Sequence, residues 1–288
     1  MLLRFSKMHG AGNDFIVLNG IEQDLSSLQK EDWIRLADRK FGIGADQILL
    51  IERSILPQVD FRYRIINHDG TEVEQCGNGS RCFVRYVQDK GLTSKKKISV
   101  EVSHAILTLE DKGEGLVEVD MGCPIIDFEK IPFLPKNLTF KDNGDTTLFN
   151  LPILNSTLPI SVVSMGNPHA VHFTDDLDLL DITQIGPMIE NDLHFPNKVN
   201  AGFAQIINSH EIKLRVFERG SGETLSCGTG ACAAVVQGIR LKKLQSPVIV
   251  NTRGGSLNIS WDFKSLGIQA HVMMTGPAVT VFDGEINL

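Results

Sequence analysis

Apolar and polar residues alternate over several short segments of this chain, as expected for strands that bury one face. The clearest alternating segments are 62–66, 98–102, 213–217 and 248–252. Helical spacing of apolar residues follows two glycine-rich turns, over 82–87 and 231–239. The pattern therefore predicts strand-rich units, each with one helix, and places the chain in the α+β class.

Both glycine-rich turns belong to an internal repeat. A Cys-Gly-Asn-Gly segment beginning at Cys76 returns as Cys-Gly-Thr-Gly at Cys227, 151 positions later. Three further matches recur in the same order and at nearly the same spacing: segments 12–17 and 166–171, Gln47 and Asn200, and Asn67 and Glu218. Chance similarity among common glycine and asparagine motifs is the alternative. Four ordered matches favour two copies of one folding unit.

The repeat predicts two pseudo-symmetric domains, at 1–122 and 123–275. Prolines, asparagines and glycines are frequent over 124–159, so the boundary is expected near the start of that segment. The last strand, within 276–288, is expected to return to the first domain. Segment 134–147 matches no motif and is predicted to be a variable loop.

Composition narrows the class of protein. The 288 residues are 42% hydrophobic and 22% charged, which is typical of a globular enzyme, and the net charge of −7 disfavours nucleic-acid or anionic-membrane partners. The chain carries no run of 18 apolar residues and no signal-peptide pattern. We therefore expect a cytoplasmic protein whose five cysteines remain thiols.

A cysteine placed directly before a helix has specific chemistry. The positive end of the helix favours the thiolate, and neighbouring glycines let backbone N–H groups approach a carboxylate. Two such loops facing one substrate would suit inversion of an α-carbon. One cysteine, as thiolate, would take a proton while the other, as thiol, delivered one to the opposite face.

The spacing of the cysteines bears on other possible roles. Cys82 and Cys232 fall inside the predicted helices, where core packing is the expected role, and Cys123 is expected to be a small buried hydrophobe. The gaps between cysteines do not fit a zinc site, and no Cys-x-x-Cys redox motif is present. Phosphate binding by the turns stays open, although no P-loop lysine follows them.

Together these motifs resemble those of the diaminopimelate epimerases, which interconvert L,L- and meso-diaminopimelate for lysine and cell-wall synthesis. The resemblance extends over nearly the whole chain. It is carried by the segments 7–15, 41–47, 67–70, 76–79, 166–169, 199–203, 218–224, 227–230 and 276–278.

The resemblance implies two similar domains, each a β-barrel-like sheet around a central helix, with the substrate in the cleft between them. It implies an epimerase without cofactor or metal, with Cys76 and Cys227 as the base and acid pair, and His169 and Glu218 supporting proton transfer. A homodimer is also implied, because Phe282 stands where the family tends to place a dimer-contact tyrosine. The implied substrate-binding residues are Asn13, Gln47, Asn67, Gly77, Asn78, Asn167, Asn200, Glu218, Arg219, Gly228 and Thr229.

The residue types agree with a doubly charged amino acid as substrate. Arg219 can form a bidentate pair with a carboxylate, while Glu218 and amide oxygens suit ammonium groups. A proline or hydroxyproline racemase is the nearest rival, since it would share the cysteine pair but bind a ring amine. A non-catalytic amino-acid-binding module or a redox-sensing thiol protein is the rival of another class.

Overall fold

Strands far outnumber helices in this computed structural model, which describes residues 1–73, 76–103, 105–143, 145–154 and 156–288. By contact density the chain forms two compact units. Unit 1 comprises 1–120 and 275–288, and unit 2 comprises 121–274.

Unit 1 begins with eight strands and two helices. They are β1 (Leu2–Gly10), β2 (Asn13–Asn19), α1 (Lys30–Ala37), β3 (Gln47–Glu52), β4 (Phe61–Asn67), β5 (Glu72–Val73), α2 (Gly77–Asp89), β6 (Lys97–Val102), β7 (Ala105–Gly113) and β8 (Leu116–Asp120). The predicted strands 62–66 and 98–102 and the first predicted helix are therefore confirmed as β4, β6 and α2.

Unit 2 follows with the same kind of elements. They are β9 (Thr139–Asn143), β10 (Thr146–Ile153), β11 (Ser156–Ser164), β12 (Pro168–Thr174), α3 (Ile182–Glu190), β13 (Asn200–Asn208), β14 (Glu211–Glu218), β15 (Gly222–Thr224), α4 (Gly228–Arg240), β16 (Val248–Thr252), β17 (Gly255–Trp261) and α5 (Phe263–Leu266). After a 3₁₀ turn at Gly267–Gln269, the chain ends with β18 (Val272–Pro277) and β19 (Val279–Asn287).

Strand pairing repeats between the units. The pairs β1–β2, β2–β3, β3–β4, β4–β6 and β6–β7 are antiparallel, parallel, antiparallel, parallel and antiparallel. The pairs β11–β12, β12–β13, β13–β14, β14–β16 and β16–β17 follow the same order. The register corresponds too, since Phe15 lies opposite Gln47 and His169 lies opposite Asn200. This confirms the predicted duplication.

Each unit encloses one helix. Helix α2 packs against β1, β2, β7 and β8, and α4 packs against β11, β12, β13 and β17. Both helices are buried over most of their length, as expected for a helix surrounded by sheet. The α+β class with a mostly antiparallel sheet around a central helix is thereby confirmed. None of the helices in the described part of the chain has the length and apolar character needed to cross a bilayer.

The terminal strands are neighbours in unit 1. Strand β19 pairs antiparallel with β1, from Leu2 opposite Asn287 to His9 opposite Val279. Main-chain hydrogen bonds to β1 therefore hold the last strand of the chain in the unit that its first strand begins.

The predicted loop at 134–147 is wrong for 139–143 and 146–147, which belong to strands, whereas 134–138 lie outside any helix or strand. Strand β9 and the start of β10 form an antiparallel hairpin, although Gly144 lies outside the described residues. All five residues of β9 are exposed and mostly polar, so no apolar alternation marked the strand. Strand β9 is stabilised by its pairing with β10. On β10, Phe149 packs against Phe133 at a ring-centroid distance of 5.0 Å.

All five cysteines are thiols in this structure. Cys82 and Cys232 are fully buried in α2 and α4, which confirms their packing role. The expectation that Cys123 is a buried hydrophobe is wrong, because it is only partly buried. Its Sγ donates to the main-chain oxygen of Gln269 at 3.1 Å, so a polar main-chain group replaces the apolar contacts of a core.

Candidate active site

Cys76 and Cys227 are the N-caps of α2 and α4. Their backbone conformations are similar, with φ −144° and ψ 110° at Cys76 and φ −115° and ψ 111° at Cys227. Each Sγ accepts a hydrogen bond from the N–H of the glycine three residues later, at 3.4 Å in both units. Sulfur thus takes the place of the oxygen that usually caps a helix. Both sulfurs lie where a helix N-terminus can stabilise negative charge.

The glycines at these helix starts leave room for neighbouring core side chains and, in α4, for the cysteine sulfur. A Cβ on Gly79 would lie 3.2 Å from Cδ2 of Leu49. A Cβ on Gly230 would lie 2.9 Å from Cγ2 of Val216 and 3.3 Å from the Sγ of Cys227. A side chain at either position would therefore press on the core or on the sulfur itself.

The first helical turns carry the four residues expected to hold a carboxylate. Gly77 and Asn78 are the first two residues of α2, and Gly228 and Thr229 are the first two of α4. N–H groups in a first turn have no acceptor within their own helix and form ready anion sites. Both turns have the form that the sequence predicted.

Two amide side chains surround Cys76. Its Sγ donates to Oδ1 of Asn13 at 3.5 Å, and Nδ2 of Asn78 donates to the same oxygen at 3.3 Å. Oδ1 of Asn78, whose residue is 4% exposed, accepts from Nη2 of Arg81 at 2.8 Å. The structure thus brings Cys76, Asn13 and Asn78 into direct contact.

Gln47 and Asn67 form a second polar pair in unit 1. They lie opposite each other on β3 and β4, and Nε2 of Gln47 donates to Oδ1 of Asn67 at 2.9 Å. Asn67 in turn donates to Oγ1 of Thr71 at 3.3 Å. Oε1 of Gln47 is buried and accepts no hydrogen bond from the described residues. That oxygen is therefore suited to an N–H or ammonium donor on a ligand.

Cys227 has a different environment from Cys76. Burial and the neighbouring carboxylate of Glu218 together raise the pKa of the Cys227 thiol well above its ordinary value. Hydrogen bonds from Thr229, whose Oγ1 lies 3.5 Å from Sγ, and from the N–H of Gly230 oppose the rise without cancelling it. The helix start does favour the Cys227 thiolate through the N–H of Gly230, but removal from water and a negative neighbour outweigh it, so the net pKa is raised and not lowered.

Glu218 is the last residue of β14, and Arg219 begins the turn that follows it. Thr224 donates from Oγ1 to Oε1 of Glu218. The main-chain N–H of Arg219 donates to Oδ1 of Asn200 at 3.0 Å, and its Nη1 donates to the main-chain oxygen of Asn197 at 3.1 Å. The Arg219 side chain is exposed at this turn, so its guanidinium is accessible to an anion.

His169 and Asn167 form the remaining polar pair of unit 2. Nε2 of His169 lies 3.0 Å from Oδ1 of Asn167. Complete burial, together with the nearby charge of Arg219, lowers the pKa of His169 to about 3. The imidazole is therefore neutral, and since an amide oxygen only accepts, its Nε2–H donates to Asn167. Nδ1 is buried and makes no hydrogen bond with the described residues.

A charged cluster beside Asn13 was missed by the sequence analysis. Arg39 donates to both oxygens of Asp14, at 2.9 and 2.7 Å, and to Oδ1 of Asp46 at 2.7 Å. Lys7 donates to Asp14 at 2.7 Å. Burial alone would raise the pKa of Asp14, but the hydrogen bonds from Arg39 and Lys7 outweigh it and hold that pKa well below its usual range. Both aspartates stand inside the recognised motifs, next to Asn13 and Gln47, and that adjacency was the available signal.

Within the described ranges, no group of three or more histidine, cysteine, aspartate or glutamate side chains is arranged to hold a metal ion. The amides, thiols, hydroxyls and charged groups described above suit hydrogen bonding to an organic ligand.

Comparison with known proteins finds similarity over most of the chain. A family model described as diaminopimelate epimerase matches residues 5–126 and 161–281. A diaminopimelate epimerase from Ralstonia pickettii is 55% identical over 288 residues, covering 100% of this chain and 97% of that protein.

Two solved structures share the fold at low sequence identity. A phenazine biosynthesis protein of the PhzF family from Bacillus anthracis aligns with a TM-score of 0.70 at 16% identity, covering 100% of both chains. A hydroxyproline epimerase from Agrobacterium vitis aligns with a TM-score of 0.70 at 11% identity, covering 100% of this chain and 93% of that one. At these identities the likeness shows the fold alone.

Proposed function

The chain belongs to the diaminopimelate epimerase family, and on this premise we propose that it interconverts L,L- and meso-diaminopimelate by inverting one α-carbon. The observation that carries the proposal is the pair of equivalent cysteines, each capping the central helix of one unit through the same sulfur contact. Simple binding of an amino acid would need neither thiol. Inversion of a carbon calls for proton removal on one face and proton delivery on the other, and two thiols can supply both.

The reaction proposed uses Cys76 and Cys227 and no cofactor. The cysteine that is thiolate removes the α-proton, and the electron pair of the broken C–H bond moves into the α-carboxylate. The other cysteine, as thiol, donates its proton to the opposite face of the same carbon. First-turn N–H groups of the helices stabilise the charge on the carboxylate as it develops. The two cysteines exchange roles in the reverse direction.

The substrate itself helps to ionise Cys227. In the free protein, burial and Glu218 favour the thiol form. An ammonium group bound at Glu218 would offset the charge of that carboxylate and lower the pKa of Cys227, whose proton then leaves to solvent water. Glu218 thus links substrate binding to proton transfer. His169, held neutral by burial, supports the transfer by orienting Asn167.

Recognition of a doubly charged substrate rests on one cation and several acceptors. The exposed guanidinium of Arg219 suits the distal carboxylate, because it can bind both oxygens at once. Glu218 and the amide oxygens suit the ammonium groups. The amide side chains proposed to bind substrate are those of Asn13, Gln47, Asn67, Asn78, Asn167 and Asn200.

The test is proton exchange in deuterated water. The protein is incubated with L,L-diaminopimelate under reducing conditions without pyridoxal phosphate, and deuterium incorporation is followed by NMR and mass spectrometry. Deuterium should enter the α-position as the meso isomer forms, and trans-4-hydroxy-L-proline should show no exchange. Absence of exchange into diaminopimelate contradicts the epimerase proposal, and exchange into hydroxyproline alone would favour the rival racemase.

Variants of the two cysteines test their roles separately. Cys76→Ser and Cys227→Ser should each abolish epimerisation, because a serine hydroxyl is too weakly acidic to replace a thiol at neutral pH. Cys123→Ser serves as the matched control, since this partly buried thiol bonds only to a main-chain oxygen of Gln269 in the described structure. Near-normal turnover in either active-site variant would overturn the two-base assignment.

We also propose that the protein acts as a homodimer in the cytoplasm, supplying lysine and peptidoglycan precursors. Strand β19 supports the dimer, since Phe282 and Val281 on it are 49% and 55% exposed. Phe282→Glu should convert the protein to a monomer in sedimentation analysis. A monomeric wild-type protein would contradict this part of the proposal.

A further inference from the structure

A one-directional chain of hydrogen bonds passes Cys76 in unit 1. Arg81 donates from Nη2 to Oδ1 of Asn78 at 2.8 Å, and Asn78 donates from Nδ2 to Oδ1 of Asn13 at 3.3 Å. Asn13 then donates from Nδ2 to Oδ2 of Asp46 at 3.1 Å. Every donor in this chain points towards Asp46.

The two ends of the chain fix its direction. A guanidinium only donates hydrogen bonds, and a carboxylate only accepts them. Neither amide can therefore reverse its oxygen and nitrogen ends without losing a partner and opposing a like group. The carboxylate of Asp46 is 48% exposed, yet Arg39 holds its Oδ1 at 2.7 Å and the N–H of Asp14 reaches its Oδ2 at 3.3 Å.

This direction determines which atom of the Asn13 amide faces the sulfur of Cys76. Because Nδ2 of Asn13 is occupied by Asp46, Oδ1 faces the sulfur at 3.5 Å and accepts its proton. An oxygen acceptor stabilises the thiol, whereas an amide N–H in the same place would stabilise the thiolate. We propose that Asp46 is a positioning residue that holds Cys76 as the thiol, and thus as the resting proton donor, by fixing the orientation of Asn13. The inference deepens the proposed function, since it assigns a protonation state to one of its two thiols.

Among the described residues, further titratable or charged groups near Cys76 lie on α2 and β4. Tyr63 of β4 bonds to Oγ of Ser80 at 2.7 Å, and burial raises the pKa values of Tyr63 and Cys82 so that both stay neutral. The charge of Arg81 and the N–H of Gly79 favour a thiolate. The oxygen of Asn13 acts against them.

Unit 2 does not reproduce this arrangement. Val199 occupies the place that corresponds to Asp46, so this position supplies no carboxylate to accept from Asn167. Oδ1 of Asn167 instead accepts from His169, and Cys227 lies beside Glu218. The orienting carboxylate is therefore specific to the first thiol and is not a by-product of the duplicated fold.

Alkylation of Cys76 tests the inference without substrate. An asparagine at position 46 can donate as well as accept, so Asp46→Asn removes the constraint on Asn13. Full-length protein is treated with iodoacetamide at a series of pH values, and the Cys76 peptide is quantified by mass spectrometry. In Asp46→Asn, the alkylation midpoint should move to lower pH, with the rate at pH 7 rising about three-fold, equivalent to half a pH unit. Asp46→Glu, which keeps an acceptor-only group, should restore part of the wild-type behaviour.

A double-mutant cycle separates orientation from simple loss of charge. Removing a negative charge would itself favour the thiolate, with or without Asn13. If Asp46 acts through Asn13, the Asp46→Asn shift should disappear in an Asn13→Ala background. Asp60→Asn is the control, because Asp60 is an ion-paired carboxylate of unit 1 whose partners are Lys95 and Ser99.

Two results would overturn the inference. One is an unchanged midpoint in folded Asp46→Asn, with folding checked by circular dichroism. The other is a shift of the same size in the Asn13→Ala background. Because alkylation needs no diaminopimelate, a failed exchange assay would remove the proposed function and leave this measurement standing. Likewise, a failed alkylation test would remove this inference and leave the exchange assay standing.

Discussion

The thiol of Cys227 lies against the carboxylate of Glu218, and the two groups disfavour each other's charge. Cys76, at the equivalent helix start, meets the neutral amide oxygen of Asn13 instead. Two copies of one fold thus place equivalent thiols in two electrostatic environments. Both environments favour the thiol in the free protein, through burial and a carboxylate at Cys227 and through an amide oxygen at Cys76.

Removal of the Glu218 charge should make Cys227 more reactive. Burial is the first cause of its raised pKa and Glu218 is the second. The alkylation rate of wild-type Cys227 should therefore rise only at pH values above those at which an ordinary thiol ionises. In Glu218→Gln we expect the rate at pH 8 to increase by at least about three-fold, the change for half a pKa unit. Peptide mass spectrometry measures it, with Glu223→Gln as the control. An unchanged Cys227 rate would show that burial alone sets this pKa.

His169 should make stability depend on pH. Its pKa falls from 6.5 to about 3 on folding, so between these values the unfolded chain binds a proton that the folded protein does not. The free energy of unfolding should therefore decrease as pH falls from 6.5 towards 3, by about 2 kcal/mol between pH 6.5 and 5.

The variant His169→Gln isolates this contribution. Its side chain can still donate to Asn167 but does not titrate. Urea unfolding at pH 7, 6 and 5 should show a smaller loss of stability on acidification in the variant than in wild type. Parallel pH profiles for the two proteins would mean that His169 titrates normally when folded.

Arg219 should matter through bidentate binding as well as through charge. Arg219→Lys keeps the charge but loses the planar fork, and we expect kcat/KM for diaminopimelate to fall about 10- to 100-fold, mainly through KM. Steady-state kinetics measures it, with Arg253→Lys as the control because that exposed arginine pairs with Glu223. A lysine variant with wild-type KM would remove Arg219 from the carboxylate site.

Gly230 should be intolerant of a methyl group. The added Cβ would lie 2.9 Å from Cγ2 of Val216 and 3.3 Å from the sulfur of Cys227. We expect Gly230→Ala to lower kcat by at least about tenfold, because small displacements of reacting groups are costly. Gly202→Ala, whose Cβ would meet nothing closer than 3.8 Å, should stay close to wild type.

A second substitution tests the cause of that loss. Val216→Ala removes the clashing methyl group and should restore part of the activity of Gly230→Ala. If kcat recovers in the double variant with little change in thermal stability, the loss of activity in Gly230→Ala is due to displacement of the Cys227 sulfur. A failure to recover, with both variants fully folded, would contradict the steric explanation.

Several features followed from the sequence because their signals are local. The repeated Cys-Gly-x-Gly turns, the helix after each turn and the alternating strands were all predicted, and the pairing order of β2, β3 and β4 matches that of β12, β13 and β14. Short-range periodicity and spacing carry this information, since strands and helix starts depend on neighbouring residues. The hairpin of β9 and β10 was missed because its exposed strand has no such signal.

The protonation preferences were decided by tertiary structure alone. Asn13 reaches Cys76 across 63 positions of sequence and Asp46 across 33, and neither contact is implied by motif or period. The raised pKa of Cys227 and the lowered pKa of His169 arise first from burial, which no local pattern around either residue specifies. Sequence alone identified the two cysteines as equivalent, whereas folding made them different, because charge and access to water depend on groups brought together from distant parts of the chain.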